Sequence, residues 1–262
     1  NINKNDIILH LASLISIPYS YVSPDSYVQT NIVGTSNLLN IAIKKGVKQF
    51  IHTSTSEVYG TAKYVPIDEN HPLQPQSPYS ASKIAADNMV IAHYNSFNLP
   101  VNIIRPFNTF GPRQSLRAVI PTIISQAKSR QSKIYLGSLK PKRDLTFIED
   151  TVNGFIKFLK LNKYGNIINL GTGHSISIYD LVNLILKILK IKKKIIIKKN
   201  RLRPINSEVM NLLSNNDKAR KILKWEPKYK GKKGLNIALE KTVKWYCSEE
   251  NINLFNSKDY VI

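Results

Sequence analysis

The sequence has a single cysteine, Cys247, among its 262 residues, and it has no long hydrophobic run. One cysteine excludes an internal disulfide framework and a cysteine-based zinc site. No apolar segment approaches the ~18 residues that a membrane-spanning helix requires. We therefore expect a protein of the reducing cytoplasm, with no membrane partner and no bound metal.

Acidic residues are also few, since 17 Asp and Glu stand against 38 Lys and Arg and the net charge is +21. Such an excess is typical of proteins that bind nucleic acids. Here, however, 30 of the 38 basic residues are lysines, and the densest run, residues 190–199, contains no aromatic side chain that could stack on bases. We interpret the excess as a bias of composition and the run as a solvated lysine face, and we expect no nucleic-acid partner.

Strand and helix signals alternate along the chain, which is typical of βα units on a parallel sheet. A continuous apolar run predicts a buried strand at residues 6–12, and we interpret residues 49–53, 101–107 and 166–170 as further buried strands. Apolar spacing predicts helices at residues 26–45 and 79–97, and a loop rich in Pro, Ser and Tyr precedes the first of them. The predicted fold class is α/β, with a doubly wound parallel sheet.

The chain divides into two predicted units. The first comprises residues 1–110 and is partly rejoined by residues 143–170, and the second comprises residues 111–142 and 171–262. No repeat or low-complexity linker separates them, so we expect the smaller C-terminal unit to be interwoven with the first.

Tyr79 and Lys83 are four residues apart in the segment Tyr-Ser-Ala-Ser-Lys, so they lie on one face of a predicted helix. An ammonium group near a phenol favours the phenolate, and we expect the pKa of Tyr79 to be lowered. Such a tyrosine can accept a proton from a substrate hydroxyl. The pattern alone is weakly specific, because chance produces it readily in a lysine-rich chain.

Polar clusters follow two consecutive predicted strands, with Ser54–Glu57 after the second strand and Asn108–Arg113 after the third. Ligands of doubly wound sheets bind at the carboxyl ends of the strands, so these clusters predict a ligand site. The alternatives are an ordinary turn at residues 54–56 and a solvent-facing acid at Glu57. His10 and His52 lie in predicted strands, and we expect both to be structural.

Several motifs occur together along the chain: His10-Leu-Ala12, Thr30-Asn31, Ser54-Thr-Ser-Glu-Val-Tyr-Gly60, Tyr79-x-x-x-Lys83, Arg105-Pro-Phe-Asn108, Gly111-Pro-Arg113 and Arg143-Asp144. Their combination resembles the extended short-chain dehydrogenase/reductase family, and within it the NAD-dependent nucleotide-sugar 4,6-dehydratases. Residues 53–88, 201–204 and 223–227 are most similar to the UDP-N-acetylglucosamine 4,6-dehydratases of legionaminic acid synthesis. The resemblance extends along essentially the whole chain.

The resemblance implies an NAD-binding Rossmann-type domain in the first unit and a nucleotide-sugar substrate domain in the second. Family members begin with a strand and a G-x-x-G-x-x-G loop that binds the pyrophosphate of NAD. This sequence contains no such loop, and we interpret Gly171-Thr-Gly173 as a turn. We therefore expect the domain to be N-terminally truncated and its NAD binding to be weak or absent.

The resemblance also implies site residues. The catalytic set is Thr55, Ser56, Glu57, Tyr79 and Lys83. The cofactor set is Leu11, Ala12, Asn31, Ser54, Tyr79, Lys83 and Pro106, and the substrate set is Asn108, Arg143 and Arg203. The expected reaction is the 4,6-dehydration of UDP- or GDP-N-acetylglucosamine to a 4-keto-6-deoxy sugar, in a homodimer formed through the helices at residues 26–45 and 79–97.

One departure from the family pattern keeps alternatives open. Many family dehydratases have Asp-Glu where this chain has Ser56-Glu57, and that Asp protonates the leaving hydroxyl. Either Glu57 acts as both base and acid, or Ser56 relays a proton through water. The same motif resembles UDP-glucuronate decarboxylases, which would need a cation beside the C6 carboxylate. A 4-epimerase has no use for a base such as Glu57, and a truncated non-catalytic relative is the alternative of another class.

Overall fold

The structure, a computed structural model, describes residues 2–252, so residues 253–262 of the second predicted unit lie outside the described residues. The strands are β1 (Ile7–His10), β2 (Gln49–Thr53), β3 (Val101–Pro106), β4 (Asn108–Phe110), β5 (Lys133–Leu136), β6 (Lys142–Phe147), β7 (Asn166–Leu170), β8 (Ser175–Ser177), β9 (Lys194–Ile197) and β10 (Asn211–Leu212). The α-helices are α1 (Ile17–Val22), α2 (Pro24–Tyr27), α3 (Gly34–Lys45), α4 (Pro78–Phe97), α5 (Val119–Lys128), α6 (Ile148–Leu159), α7 (Ile178–Leu189), α8 (Gly231–Tyr246) and α9 (Glu249–Ile252).

The first sheet is parallel and has the strand order β1-β2-β3-β7. On one face, Leu39 of α3 and Val90 of α4 pack against Phe50 of β2. On the opposite face, Phe158 of α6 and Trp225 pack against the other side chains of β2, β3 and β7. Helices therefore cover both faces, which explains why the central strands are buried and confirms the predicted doubly wound α/β class.

The remaining strands form two smaller sheets. β10, β6 and β4 pair in parallel, and β8 joins β6 antiparallel, while β5 pairs with β9. Helices α5, α7 and α8 pack over them in a separate apolar cluster. The chain passes from β3 directly into β4, returns to the first sheet through α6 and β7, and leaves it again at β8.

The boundaries of the two predicted units stay a prediction. The return of the chain to the first sheet is made by α6 and β7, whereas β6 lies in the second sheet. A further return follows β10, because the helical turn Ala219–Leu223 packs on the same face of the first sheet as α6.

Helix α4 has strong start and stop signals. Ser77 and Ser80 form a capping box, Pro78 opens the first turn, and Asn98 ends the helix in the left-handed conformation with φ 52°. The helix predicted at residues 26–45 is instead α2 and α3 joined by a π-helical turn, Val28–Val33. Part of the predicted loop before it forms α1, because Pro18 is tolerated in a first helical turn.

Strand β1 lies at an edge of the first sheet. Among the described residues it pairs with β2 alone, and Ile7, Ile8 and Leu9 remain partly exposed. Elsewhere in the described part of the chain, no helix has both the length and the apolar surface needed to cross a lipid bilayer.

Candidate active site

The segment after β2 forms one wall of the site. Thr55 is the N-cap of a short 3-10 helix, Ser56–Tyr59, and its Oγ1 accepts a hydrogen bond of 3.2 Å from the Glu57 amide. The helix ends at Gly60, where φ is 60° and an added Cβ would lie 2.6 Å from the Gln74 carbonyl oxygen. These local contacts fix the Glu57 carboxylate at the carboxyl edge of the sheet, with a 7% exposed side chain.

Tyr79 and Lys83 lie on the face of α4 that is turned toward this segment, and both are buried. The Tyr79 hydroxyl is hydrogen-bonded to the Thr55 side chain, and its ring contacts Tyr27 edge-on. The Lys83 Nζ donates a 2.6 Å hydrogen bond to the carbonyl of Thr53. The structure therefore brings together the motif on α4 and the motif after β2, as the sequence predicted.

The expected lowering of the Tyr79 pKa is wrong for this structure. Burial raises the pKa of Tyr79, and the nearby Glu57 carboxylate raises it further, against the hydrogen bond from Thr55. Burial also lowers the pKa of Lys83 to about 8. The Lys83 ammonium donates to a backbone carbonyl and not to the phenol. The effect of burial on the pKa of Tyr79 therefore exceeds any effect of the Lys83 charge.

The end of β1 provides the surface beside this pair. Leu11 and Ala12 are exposed there, although the preceding residues belong to the sheet. Asn31 lies behind them, and its amide is fully used by the protein: Oδ1 accepts from the Leu14 amide and the Ser13 hydroxyl, and Nδ2 donates to the Leu14 carbonyl and to Ser82. Asn31 therefore fastens the loop after β1 to α4.

The two other residues of the predicted cofactor set differ in their surroundings. The Ser54 hydroxyl points into the interior and donates a 2.8 Å hydrogen bond to Asp87. Pro106 ends β3 at the same edge of the sheet and is partly exposed.

The predicted substrate residues lie on the second sheet and on the loop before β10. The Nη1 of Arg143 donates to the carbonyls of Val209 and Lys142, at 2.7 and 3.0 Å, and its Nη2 lies 3.5 Å from the Glu208 carboxylate. The Nη1 of Arg203 lies 3.9 Å from both Glu57 Oε2 and Glu208 Oε1. Two arginines and two carboxylates thus form one compact group, and Glu57 connects this group to the segment after β2.

Two buried polar atoms in this region have no hydrogen-bond partner among the described residues, Asn108 Oδ1 and Arg203 Nη1. A buried polar group without a partner is costly, and a polar ligand that hydrogen-bonds these atoms would remove that cost. Glu208 was missed by the sequence reasoning, because no spacing or motif links it to two arginines from other segments.

Three further predictions concern structural positions. His10 is buried, and its Nε2 is 3.0 Å from Thr35 Oγ1. His52 is fully buried in β2. Gly171-Thr-Gly173 is a turn whose Thr172 and Gly173 amides donate to the buried Asp144 carboxylate, so these amides are not free to hold a phosphate. In residues 2–252, no group of His, Cys, Asp or Glu side chains is arranged to hold a metal ion.

Comparisons with known proteins match most of the chain. The family model of GDP-mannose 4,6 dehydratase matches residues 2–237. Human dTDP-D-glucose 4,6-dehydratase is 33% identical over 245 residues, which are 93% of this chain and 69% of the human protein.

Solved structures are similar over most of the chain. UDP-glucuronic acid 4-epimerase from Bacillus cereus, in complex with UDP-glucuronic acid and NAD, has a TM-score of 0.84 at 27% identity. The superposition covers 92% of this chain and 74% of the epimerase chain. DesIV, the dTDP-glucose 4,6-dehydratase from Streptomyces venezuelae with NAD and TYD bound, has a TM-score of 0.84 at 26% identity, with coverages of 95% and 74%. The chain therefore belongs to the GDP-mannose 4,6 dehydratase family, within the extended short-chain dehydrogenases/reductases that its motifs predicted.

Proposed function

We propose that this protein catalyses the NAD-dependent 4,6-dehydration of a nucleotide-linked hexose, with UDP- or GDP-N-acetylglucosamine as the substrate. The observation that carries the proposal is the convergence of Thr55, Glu57 and Tyr79 at one edge of the sheet, with Lys83 directly behind the tyrosine. An acid, a phenol and a hydroxyl in one cleft suit a reaction with several proton transfers on one sugar ring.

NAD is the proposed cofactor, and the described residues fit its nicotinamide half. Leu11 and Ala12 are exposed and would provide a surface for the flat nicotinamide ring. They directly follow His10, which is close enough to Lys83 to feel its charge, so the Lys83 ammonium would be the hydrogen-bond donor for the ribose. Residues 2–252 provide no glycine-rich turn for the pyrophosphate. When bound, NAD accepts a hydride from C4 of the sugar and returns it at C6.

The residues of the chain would then act as follows. Tyr79 accepts the proton of the C4 hydroxyl, and Thr55 hydrogen-bonds the C4 oxygen as it becomes a ketone. The ketone makes the C5 proton acidic, and Glu57 removes it before the C6 hydroxyl leaves as water. Ser56 is too weak an acid to protonate that hydroxyl directly, so it acts as a relay or leaves this step to Glu57.

Asn108, Arg143 and Arg203 would bind the nucleoside diphosphate. The guanidinium group binds phosphate oxygens in pairs, and Arg203 Nη1 has no hydrogen-bond partner among the described residues. Asn108 Oδ1 is an acceptor, so it would take a hydrogen bond from a donor on the substrate such as a sugar hydroxyl.

We also propose that the protein forms a homodimer through α3 and α4. Ile41 and Ile43 of α3 and Tyr94 and Phe97 of α4 are exposed apolar side chains that a helix bundle would cover. Sedimentation velocity should detect a dimer, and the charged variant Phe97→Glu should shift it toward monomer. An unchanged sedimentation profile for that variant would argue against this face.

The test of the reaction uses the protein with saturating NAD and, in parallel, UDP- and GDP-N-acetylglucosamine, dTDP-glucose and GDP-mannose. We expect one of the first two to lose one water, seen by mass spectrometry, and to give a keto sugar. Tyr79→Phe should reduce the rate by about 10²–10⁴-fold. Equal product from Tyr79→Phe and the wild type would contradict the proposal.

UDP-glucuronate decarboxylation is the second candidate, and a specific contact favours it. Arg203 lies 3.9 Å from Glu57 and so provides the cation that a C6 carboxylate would need. Incubation with UDP-glucuronate separates the two reactions, since decarboxylation releases carbon dioxide and a pentose product, whereas dehydration leaves all six carbons in place.

A further inference from the structure

Helix α4 carries a third ionisable residue in line with the pair already described. Asp87 follows Lys83 by four residues and Tyr79 by eight, so all three lie on one face of the helix. Asp87 is fully buried, and neither the family motif nor the proposed reaction uses it. A buried carboxylate is costly unless its surroundings hold it in the charged form.

Three hydrogen bonds hold Asp87 in that form. Its Oδ2 accepts from the Ser54 hydroxyl at 2.8 Å and from the Nε and Nη2 of Arg105 at 3.1 and 2.9 Å. Burial raises the pKa of Asp87, but His52, Arg105 and Ser54 together outweigh burial and leave the pKa below its usual value. Asp87 is therefore a permanent negative charge in the interior.

The second oxygen of Asp87 is not used in the same way. Asp87 Oδ1 is buried and has no hydrogen-bond partner among the described residues, although His52 Nε2 lies 3.4 Å away. Burial lowers the pKa of His52, so this histidine stays neutral and does not cancel the charge of the carboxylate. Arg105 pairs with Oδ2, and the same carboxylate lies one helical turn from Lys83, so two buried cations share the negative charge of Asp87.

Lys83 has few other partners. The ionisable groups that act on it or that it acts on are His10 from β1, His52 from β2 and Asp87 from its own helix. Arg105 from β3 is paired with Asp87. Burial lowers the pKa of His10 to about 4, so neither histidine carries a charge near neutral pH. Among the described residues, Asp87 is the group that raises the pKa of Lys83 against the effect of burial.

We propose that Asp87 is a positioning residue that keeps Lys83 in its ammonium form and so sustains the Tyr79–Lys83 pair. The negative charge of Asp87 by itself disfavours the phenolate of Tyr79, so its benefit passes through the ammonium that lies between them. Arg105 and Ser54 fix the carboxylate from β3 and from the end of β2. The proposal rests on the proposed function, since it assigns the charge state of a residue of that site.

The test compares wild-type protein with Asp87→Asn, which keeps the size of the side chain and removes its charge. Lysine labelled with ¹³C at Cε reports the titration of Lys83, and Lys83→Met identifies its resonance by absence. We expect a midpoint near pH 8 in the wild type and a midpoint about one pH unit lower, or more, in Asp87→Asn. The descending limb of the kcat profile against pH should move in the same direction.

Two further variants guard against a merely structural explanation. Asp150→Asn replaces another buried aspartate, which accepts hydrogen bonds from the Lys228 and Tyr229 amides, and it should leave the Lys83 titration unchanged. If Asp87→Asn does not fold, the double variant Asp87→Asn with Arg105→Gln removes both charges of the buried pair and should shift the Lys83 midpoint in the same direction by a smaller amount, because the repulsion from Arg105 is removed as well.

An unchanged Lys83 midpoint in the Asp87 variants, or an equal shift in Asp150→Asn, would overturn the proposal. The resonance titration needs no turnover, so it tests the coupling even if the wild-type protein dehydrates none of the sugars. A wild-type protein that dehydrates none of the sugars would count against the proposed function alone.

Discussion

In the proposed reaction, Glu57 has the most closely defined task, the removal of the C5 proton. Its carboxylate is close enough to Tyr79 to raise the pKa of the phenol, and it lies 3.9 Å from Arg203. Glu57→Gln keeps the size of the side chain and removes the base, so turnover should fall by at least about 10²-fold. In D₂O, the variant should also stop the incorporation of deuterium at C5, which NMR of the recovered sugar measures.

The matched control is Glu226→Gln, which neutralises an exposed acid paired with Arg220 and Lys230. It should retain both turnover and deuterium incorporation. Deuterium at C5 in Glu57→Gln at the wild-type rate would show that another group removes the proton.

His10 makes folding stability depend on pH. Burial, His52 and Lys83 lower the pKa of His10 from 6.5 to about 4. Below pH 6.5, His10 is therefore protonated in the unfolded chain, whereas in the folded chain it becomes protonated only near pH 4. The contribution is present in full above this window and is lost as the pH falls through it, up to about 3 kcal/mol.

His10→Gln should therefore flatten the pH dependence of the unfolding free energy in this window, measured by urea denaturation. His174→Gln replaces a partly exposed histidine and should keep the wild-type dependence. Parallel curves for wild type and His10→Gln would exclude this role.

At the scale of residues, local spacing carried most of what the sequence could predict about the positions of the candidate site residues. Tyr79 and Lys83 are one helical turn apart, and Thr55 and Glu57 follow a buried strand, so short segments sufficed to place them. The contact of Arg203 with Glu57 joins residues that are far apart in the chain, and no local pattern could predict it. The predicted direction of the Tyr79 pKa shift was wrong for the same reason, because the burial of a side chain depends on the whole fold.

At the scale of elements, Gly60 decides how the Thr55–Glu57 segment is held. A side chain there would meet the Gln74 carbonyl in addition to the strain of φ 60°, which by itself costs about 1–3 kcal/mol. Gly60→Ala should therefore lower the free energy of unfolding and also reduce turnover, because it displaces the 3-10 helix that carries Glu57.

Gly231→Ala is the control, since Gly231 also has a positive φ, 68°, but has nothing within 4 Å of an added Cβ. Its loss of stability should be smaller, and its turnover should match the wild type. Equal losses at both positions, measured by denaturant unfolding, would mean that the close approach to Gln74 is unimportant.

The elements that the sequence predicted well are those with strong local signals. β2, β3 and β7 are largely buried strands with apolar residues at their centres, and α4 has caps at both ends. β4, β8 and β10 have three residues or fewer, and their pairing with β6 is set by contacts between distant segments. Such short strands have no periodicity to detect.

At the scale of the whole molecule, the edge at β1 is the most exposed part of the sheet. It combines apolar side chains with backbone groups that lack a partner strand among the described residues. Edges of this kind pair with other chains, so we expect concentration-dependent self-association of the 262-residue chain. Leu11→Lys places a charge directly after β1 and should reduce that association, measured by light scattering.

Ile15→Lys is the control, since Ile15 is as exposed as Leu11 but lies beyond the strand. Both variants add one positive charge to a chain of net charge +21. A similar reduction by both would indicate a general effect of charge instead of an effect of the edge.

The repeated passage of the chain between the two main sheets has a consequence for how such a protein can change over time. No single breakpoint in the gene separates the Rossmann-type sheet from the sheet that carries Asn108 and Arg143, because β4 follows β3 directly and α6 and β7 come back. Recombination therefore cannot exchange the second sheet as a single cassette. New specificity in this architecture has to arise from point replacements at the strand ends.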